Sequence, residues 1–373
     1  MVKFDEFGPE KILEVYDEKT GMHGFTVIDN TLLGPGKGGI RMTPSVSIDE
    51  VAKLARVMTY KNALAGLPFG GGKSGIISNP RELTKDQKVE IVKAFAKAIK
   101  PICPSRYIAA PDINMDEPDM RVFANANGSM KSTTGKPANM CVKPGIKCGI
   151  PHEYGSTGFG VYHATLVAIE HLSWKNIKDL TVAIEGFGNV GTFAAKYLSK
   201  KGFKFVATSD SKGLIYNKKG LDYNKLMKVK KEKRTVTKYK PGVVMKGQKI
   251  IELNVDILIT AAIPNIVNDK NYKKVKAKLI VEGSNIPMTP QVENKLHKKG
   301  ILIIPDFVAN AGGVISSYAE YKGHNPRDMF KLVEKKIVRN TRIVLKEANK
   351  KKHCKLRDVA MEIAISRLKR KRK

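Results

Sequence analysis

Cysteine is scarce in this chain, and so is negative charge. Cys103, Cys141, Cys148 and Cys354 are few and scattered for 373 residues, which argues against a disulfide framework and for free thiols in a reducing compartment. The grouping of Cys141, Cys148 and His152 lacks the paired spacing and fourth ligand of a zinc site, so no metal is expected. No apolar run approaches the ~20 residues that cross a bilayer. The charged start MVKFDEFGPEK has no signal-peptide core. A cytoplasmic protein without membrane association is the expectation. Acids number 35 against 67 lysines and arginines, a formal charge of +32. On charge grounds alone, binding to nucleic acid through runs such as 228–240 and 367–373 is physically possible but not the expected role. Those runs lack the interleaved aromatics of a base-stacking platform, and a solvated basic surface is the plainer reading.

What is present points to two domains, because 373 residues exceed one comfortable core. Residues 24–29 have strand composition. Thr84 and Gln87 make a T-x-x-Q capping pattern. It opens a helix with Val89, Ile91, Val92, Phe95, Ala96 and Ile99 at helical spacing, and Pro101 ends it. From about 130 to 158 the chain turns to Gly, Pro, Lys and Ser, the best place for a domain connection. Beyond it a helix over 161–172 precedes short apolar runs at 182–184, 203–210, 255–262, 278–283 and 301–307. These read as strands buried on both faces of a parallel sheet, so the second domain is expected to be doubly wound α/β. Asn325 and Pro326 read as the N-cap and first residue of a further helix, and a last amphipathic helix carries Leu356, Val359, Ile363 and Leu368.

The turn 186-GFGNVG-191 follows an apolar strand and opens a helix. Gly186 serves the tight turn, Gly188 the approach of a pyrophosphate, and Gly191 close packing of helix on strand, with Asn189 and Val190 between them. This predicts nucleotide binding. Asp210, at the end of the next strand, suits the ribose hydroxyls of NAD, whereas Ser209, Ser211 and Lys212 around it suit a 2′-phosphate. NAD and NADP both stay open. Lys37, Lys61 and Lys73 stand in glycine-rich, otherwise uncharged surroundings, and Gly70, Gly71 and Gly72 are expected to let a ligand reach the backbone beside Lys73. A second ammonium about 7 Å away, Lys61, would lower the Lys73 pKa, by ~2.4 kcal/mol at an effective dielectric of about 20.

The ordered motifs GPGKGGIRM, MTYKNALAGLPFGGGK, APD at 110–112, GSTGFGV, GFGNVG, EGSNIP and NAGGVISSYAE resemble those of the dehydrogenases acting on glutamate, leucine, phenylalanine and valine. The resemblance runs from about residue 5 to 370. It implies an α/β fold of two domains: a substrate-binding and oligomerisation domain over 1–151, rejoined by a C-terminal helix within 344–373, and a Rossmann-type NAD(P) domain over 152–343. It implies Lys73 and Asp112 as the catalytic proton carriers and Lys61 on the α-carboxylate, with Ala110 in the substrate-binding APD motif. Lys37 and Ser317 would meet the far end of the substrate, beside Val314 as a pocket wall. Thr157, Asn285 and Asn310 would touch the nicotinamide or its ribose. Members acting on apolar amino acids carry apolar residues where Lys37 and Ser317 stand, so glutamate, 2-oxoglutarate and ammonia are expected here, with a leucine, valine or phenylalanine enzyme as the alternative. A homo-oligomer is implied. The segment before Gly34 is shorter than in typical glutamate enzymes, the loop 135–153 looks longer, and Ser74 replaces a common glycine.

Overall fold

The computed structural model describes residues 2–351 and 354–372, so the last residue of the basic run 367–373 lies outside them. The chain divides into two compact units, one of residues 1–154, 314–332 and 361–373 and one of residues 155–313 and 333–360.

The first unit contains β1 (Lys11–Asp17), β2 (Met22–Asn30), β3 (Gly36–Lys37), β4 (Ile40–Thr43), α1 (Ile48–Ala65), β5 (Gly70–Ile77), α2 (Lys85–Ala98), β6 (Tyr107–Ile108), α3 (Glu117–Asn127) and a hairpin of β7 (Cys141–Lys143) and β8 (Ile146–Cys148). Five strands lie in the order β1-β2-β5-β3-β6, and β4 also pairs with β5. Alternation of side chains fixes the faces. Val27 packs with Val51 and Ala55 of α1, while Ile28 joins Phe95 of α2 and Phe123 of α3. The expected cap of α2 forms, with Thr84 Oγ1 accepting from Gln87 N at 3.2 Å and Gln87 Oε1 from Thr84 N at 2.8 Å.

Two expectations are corrected here. Gly70, Gly71 and Gly72 do not open the backbone to a ligand. They lie in β5, a buried interior strand, where a Cβ on Gly71 would stand 2.0 Å from Thr59 Oγ1 and one on Gly72 2.8 Å from the Tyr107 ring. The glycines let α1 and Tyr107 close on opposite faces of the strand. Cys141 and Cys148 are not free thiols either. The hairpin register sets them opposite one another, Cα to Cα 3.9 Å, and they form a disulfide. Cys103 and Cys354 are free. No group of three or more metal-ligating side chains occurs among the described residues.

The second unit begins with α4 (Ser156–His171) and continues through β9 (Thr181–Glu185), α5 (Asn189–Lys201), β10 (Lys204–Asp210), β11 (Gly213–Tyr216), α6 (Tyr223–Lys233), β12 (Val243–Met245), β13 (Ile257–Thr260), β14 (Leu279–Glu282), α7 (Pro290–Lys298), β15 (Leu302–Ile304) and α8 (Asp306–Ala309). Its seven strands take the order β12-β11-β10-β9-β13-β14-β15. From β10 to β15 neighbours are parallel, as the apolar runs predict, and β11 and β12 add an antiparallel edge. Strand order reverses at β9, so the crevice at the carboxyl ends of β9 and β13 is where such a sheet takes a ligand. Three helices complete the chain: α9 (Gly312–Lys322), α10 (Pro326–Lys350) and α11 (Leu356–Arg372). Asn325 Oδ1 accepts from Asp328 N at 2.9 Å, capping α10. Among the described residues no helix is long and apolar enough to cross a membrane.

Candidate active site

Lys73 comes from the interior of β5, where its neighbour in register is Val27. Its Nζ donates to Asp112 Oδ2. Asp112 is delivered by the chain just past β6, where Ile40 N donates to Ala110 O at 2.9 Å. The pair is assembled over Gly39, since a Cβ there would fall 2.8 Å from Asp112 Cβ and 3.3 Å from Lys73 Nζ. Burial pulls the Lys73 pKa below the usual lysine range, and this outweighs the attraction of Asp112. Asp112 is held low despite burial because Lys73 and Arg41 favour its anion. Arg41 Nη2 lies 3.6 Å from Asp112 Oδ2, while its Nη1 pairs with Glu50. Arg41 is a cation pressing on Lys73 that the sequence reading did not name. The residue stands in GPGKGGIRM, and that position was the available signal. A lysine made more acidic and hydrogen-bonded to a carboxylate can pass protons in either direction near neutral pH.

Lys37 ends β3 and is 1% exposed. Its Nζ donates to Ala109 O at 2.7 Å. Burial lowers its pKa to about 7, with Glu320 opposing and Lys136 adding to the shift. Those two neighbours form a buried ion pair at 2.5 Å that sequence reasoning did not identify. Glu320 also accepts from Gly135 N at 2.7 Å and Ile150 N at 3.0 Å. It lies three residues after Ser317 on α9, so a buried acid near the expected substrate contacts was visible in NAGGVISSYAE. Val314 and Ser317, also three apart, are half-buried. Phe69 packs edge-on to Tyr318 and Tyr321 at 5.8 and 5.4 Å, which fixes this part of α9 in the first unit. Lys61 is buried in the last turns of α1. Arg367 Nη1 donates to Ala63 O at 3.0 Å at the end of that helix.

In the second unit Gly186 adopts φ +91, and a Cβ there would strike Ala262 at 2.5 Å. A Cβ on Gly191 would lie 1.8 Å from Gly186 O, whereas Gly188 faces open space. Asn189 begins α5, and Val190 packs toward Gly283. Asn310 Nδ2 donates to Asn285 Oδ1 at 2.9 Å and to Gly283 O at 3.3 Å. Its own Oδ1 is buried without a hydrogen-bond partner among the described residues, so it can accept from an amide donor of a ligand. Thr157 Oγ1 adjoins Gly313. A cavity of about 700 Å³ runs along Gly186, Gly188, Asp210, Lys212, Lys246 and Ala262. The open glycine turn at a helix N-terminus, the orphaned amide oxygen and a cavity of this size fit a nicotinamide dinucleotide.

Two family models match. One, described as Glutamate/Leucine/Phenylalanine/Valine dehydrogenase, covers residues 148–373. The other, Glu/Leu/Phe/Val dehydrogenase, dimerisation domain, covers residues 9–128. The chain is 39% identical to a protein of Aeropyrum pernix named glutamate dehydrogenase, over 91% of this chain and 83% of that one. It is 37% identical to an NADP(+)-dependent glutamate dehydrogenase of Pyrobaculum calidifontis, over 92% of this chain and 84% of that one. Among solved structures, glutamate dehydrogenase from Peptoniphilus asaccharolyticus superposes with a TM-score of 0.82 at 27% identity, over 97% of this chain and 91% of that one.

Proposed function

The chain belongs to the glutamate, leucine, phenylalanine and valine dehydrogenase family, and on that premise we propose that it interconverts L-glutamate with 2-oxoglutarate and ammonia, using NAD or NADP. The observation that carries the substrate is Lys37. It is fully buried, and among the described residues its hydrogen-bond acceptor is Ala109 O alone, so further N–H groups of the ammonium have nothing to meet. A side-chain carboxylate supplies that acceptor and the counter-charge. An apolar side chain supplies neither, a penalty of several kcal/mol. The names of the relatives from Aeropyrum and Pyrobaculum agree with glutamate.

In this reading Lys61 receives the α-carboxylate, Ala110 and Val314 line the pocket, and Ser317 joins Lys37 at the far end. Bound NAD(P) supplies the acceptor for the hydride from the substrate Cα. The chain's own groups handle protons. Lys73, kept acidic by burial, takes a proton from the water that attacks the imine carbon and later returns it. Asp112 carries the proton to and from the departing nitrogen. The turn 186–191 holds the pyrophosphate, with Asn189 and Val190 in its helix start. Thr157, Asn285 and Asn310 hold the nicotinamide end. From the expected division at 1–151 with the C-terminal helix and 152–343, we assign the substrate and assembly role to the first unit, which also takes residues 314–332, and the cofactor role to the second. A cytoplasmic homo-oligomer is the form proposed, supported by the dimerisation-domain match.

The test is reductive amination with ammonia and either 2-oxoglutarate or 2-oxoisocaproate, followed by nicotinamide absorbance. The expected result is turnover of 2-oxoglutarate with kcat/KM at least about 100-fold above the branched acid, and reversal of that order in Lys37→Leu, Ser317→Val. A wild-type preference for 2-oxoisocaproate would refute glutamate as the substrate.

A further inference from the structure

Beside Lys37 the fold buries two further charges, Lys136 and Glu320. Lys136 Nζ donates to Glu320 Oε1 at 2.5 Å and to Thr133 O at 2.6 Å. Glu320 Oε2 accepts from Gly135 N at 2.7 Å and from Ile150 N at 3.0 Å. The same short segment reaches Lys37 as well, because Ala109 O, the acceptor of Lys37 Nζ, also accepts from Thr134 N at 3.1 Å. Residues 133–136 therefore hold all three charged side chains in one frame. Gly135 takes φ +74, and a Cβ there would stand 2.6 Å from Pro111 Cδ, so the segment is pressed against the stretch that carries Ala110 and Asp112. On α9 Ser317 precedes Glu320 by three residues, about one turn along the same face.

The charges in this frame do not balance. Two ammonium groups share one carboxylate, and of the charges acting on Lys37 that of Glu320 is the strongest and that of Lys136 the next. Neighbouring groups add nothing near neutrality. Burial raises the Cys103 thiol to about 12, loss of hydration lowers the His152 imidazole, and Lys73 has its own partner in Asp112. Glu320 already holds Lys136 Nζ and two backbone N–H groups, so Lys136 keeps it from serving as the counter-ion of Lys37. With Lys37 in its ammonium form, which a bound anion favours, one positive charge is left over in a buried place. That surplus is costly until an anion cancels it. A neutral ligand leaves it standing, and a dianion replaces it with a surplus of the opposite sign.

We propose that Glu320 and Lys136 are positioning residues that set the charge accepted at the far end of the substrate, so that the buried trio with Lys37 selects a group carrying a single negative charge. This rests on the reading that Lys37 meets the far end of the substrate. The test is a series of three 2-oxo acids whose far end is neutral, a carboxylate or a more highly charged phosphonate: 2-oxohexanoate, 2-oxoglutarate and 2-oxo-4-phosphonobutanoate. Initial rates of reductive amination are compared at one pH. The wild-type chain is expected to take 2-oxoglutarate best. In Glu320→Gln the surplus rises by one, and kcat/KM for the phosphonate relative to 2-oxoglutarate increases about 10-fold or more. In Lys136→Met the surplus vanishes, and 2-oxohexanoate gains about 10-fold or more relative to 2-oxoglutarate, a change carried by KM. Glu320→Gln, Lys136→Met restores the single surplus charge, so both ratios return to within about 3-fold of the parent. A mere brace behaves otherwise, lowering all three acids together and most of all in the double variant. Parallel losses of that kind overturn the proposal, and so does a double variant that keeps the preference of either single one. Should Lys136→Met fail to fold, Glu320→Gln and the double variant still decide through the phosphonate ratio. A wild-type chain that takes 2-oxohexanoate best refutes glutamate as the substrate, and opposite shifts in the two single variants then leave the charge rule standing.

Discussion

Each unit buries a cluster of charge, and the two clusters are built on opposite terms. In the second unit Arg357 donates to Glu293 at 2.5 Å, to Asp306 at 2.9 Å and to Glu282 at 2.5 Å. One guanidinium ties together β14, α7 and α8. Burial works against its charge, yet the three carboxylates outweigh that and raise its pKa. In the first unit burial prevails over attraction, and Lys37 and Lys73 both sit below the ordinary lysine range. The first arrangement surrounds its cation with counter-charge from the chain, although Glu282 Oε1 has no hydrogen-bond partner among the described residues. The second holds cations that gain from an anionic ligand, and this is what separates a binding site from a brace.

The sharpest test of that contrast exchanges the two kinds of loss. Lys73→Met or Asp112→Asn is expected to lower kcat/KM by about 1000-fold or more, while the urea midpoint stays near that of the parent. Arg357→Met leaves three carboxylates buried without their cation, and is expected to cost about 3–5 kcal/mol of stability. Activity per folded molecule then stays close to the parent value. Should Lys73→Met destabilise the fold as much as Arg357→Met, the first cluster is a brace as well.

How much of this was readable from the sequence divides along contact range. The turn at 186–191, the cap at Thr84 and Gln87, and the strands of the parallel sheet are local patterns, and a few adjacent residues specify each. Arg41, Lys136 with Glu320, and Lys246 owe their positions to strand register or to a helix that returns from residue 312. No spacing rule links positions so far apart. Gly70, Gly71 and Gly72 failed for another reason: glycine marks close approach, but not whether a ligand or a Tyr107 ring does the approaching. The cysteines failed because scarcity says nothing of two thiols brought opposite one another by a hairpin.

A smaller effect follows from Lys37, whose pKa is about 7 in the fold against about 10.4 in an unfolded chain. Between those values the unfolded state binds more protons, so stability rises with pH across the window. Below about pH 7 the full cost of burying the ammonium is present. Lys37→Met removes the group, and the variant is expected to be the more stable near neutrality, with its advantage shrinking toward pH 9.5. Chemical denaturation of both proteins at pH 6.5, 8 and 9.5 reads this directly. An advantage that is constant across the series means that Lys37 is not titrating.

The smallest effect belongs to the disulfide, which lies in neither cluster but in the loop that leads from Lys136 to Ile150. Both ends of that loop are tied to Glu320, and Gly149 N donates to Met140 O at 3.0 Å across the hairpin base. Closing a loop of this length contributes about 2.5 kcal/mol by chain entropy. Because the neck is held separately, reduction should loosen the tip around Val142 and Ile146, both exposed, while the Lys136–Glu320 pair stays formed. A thermal scan with a dithiol reductant, or of Cys148→Ser, should then show a midpoint lower by a few degrees or less. Trypsin should cut faster after Lys147. If reduction instead raised the KM for 2-oxoglutarate several-fold, the neck would depend on the disulfide, and the separation between the hairpin and the buried lysines would fail.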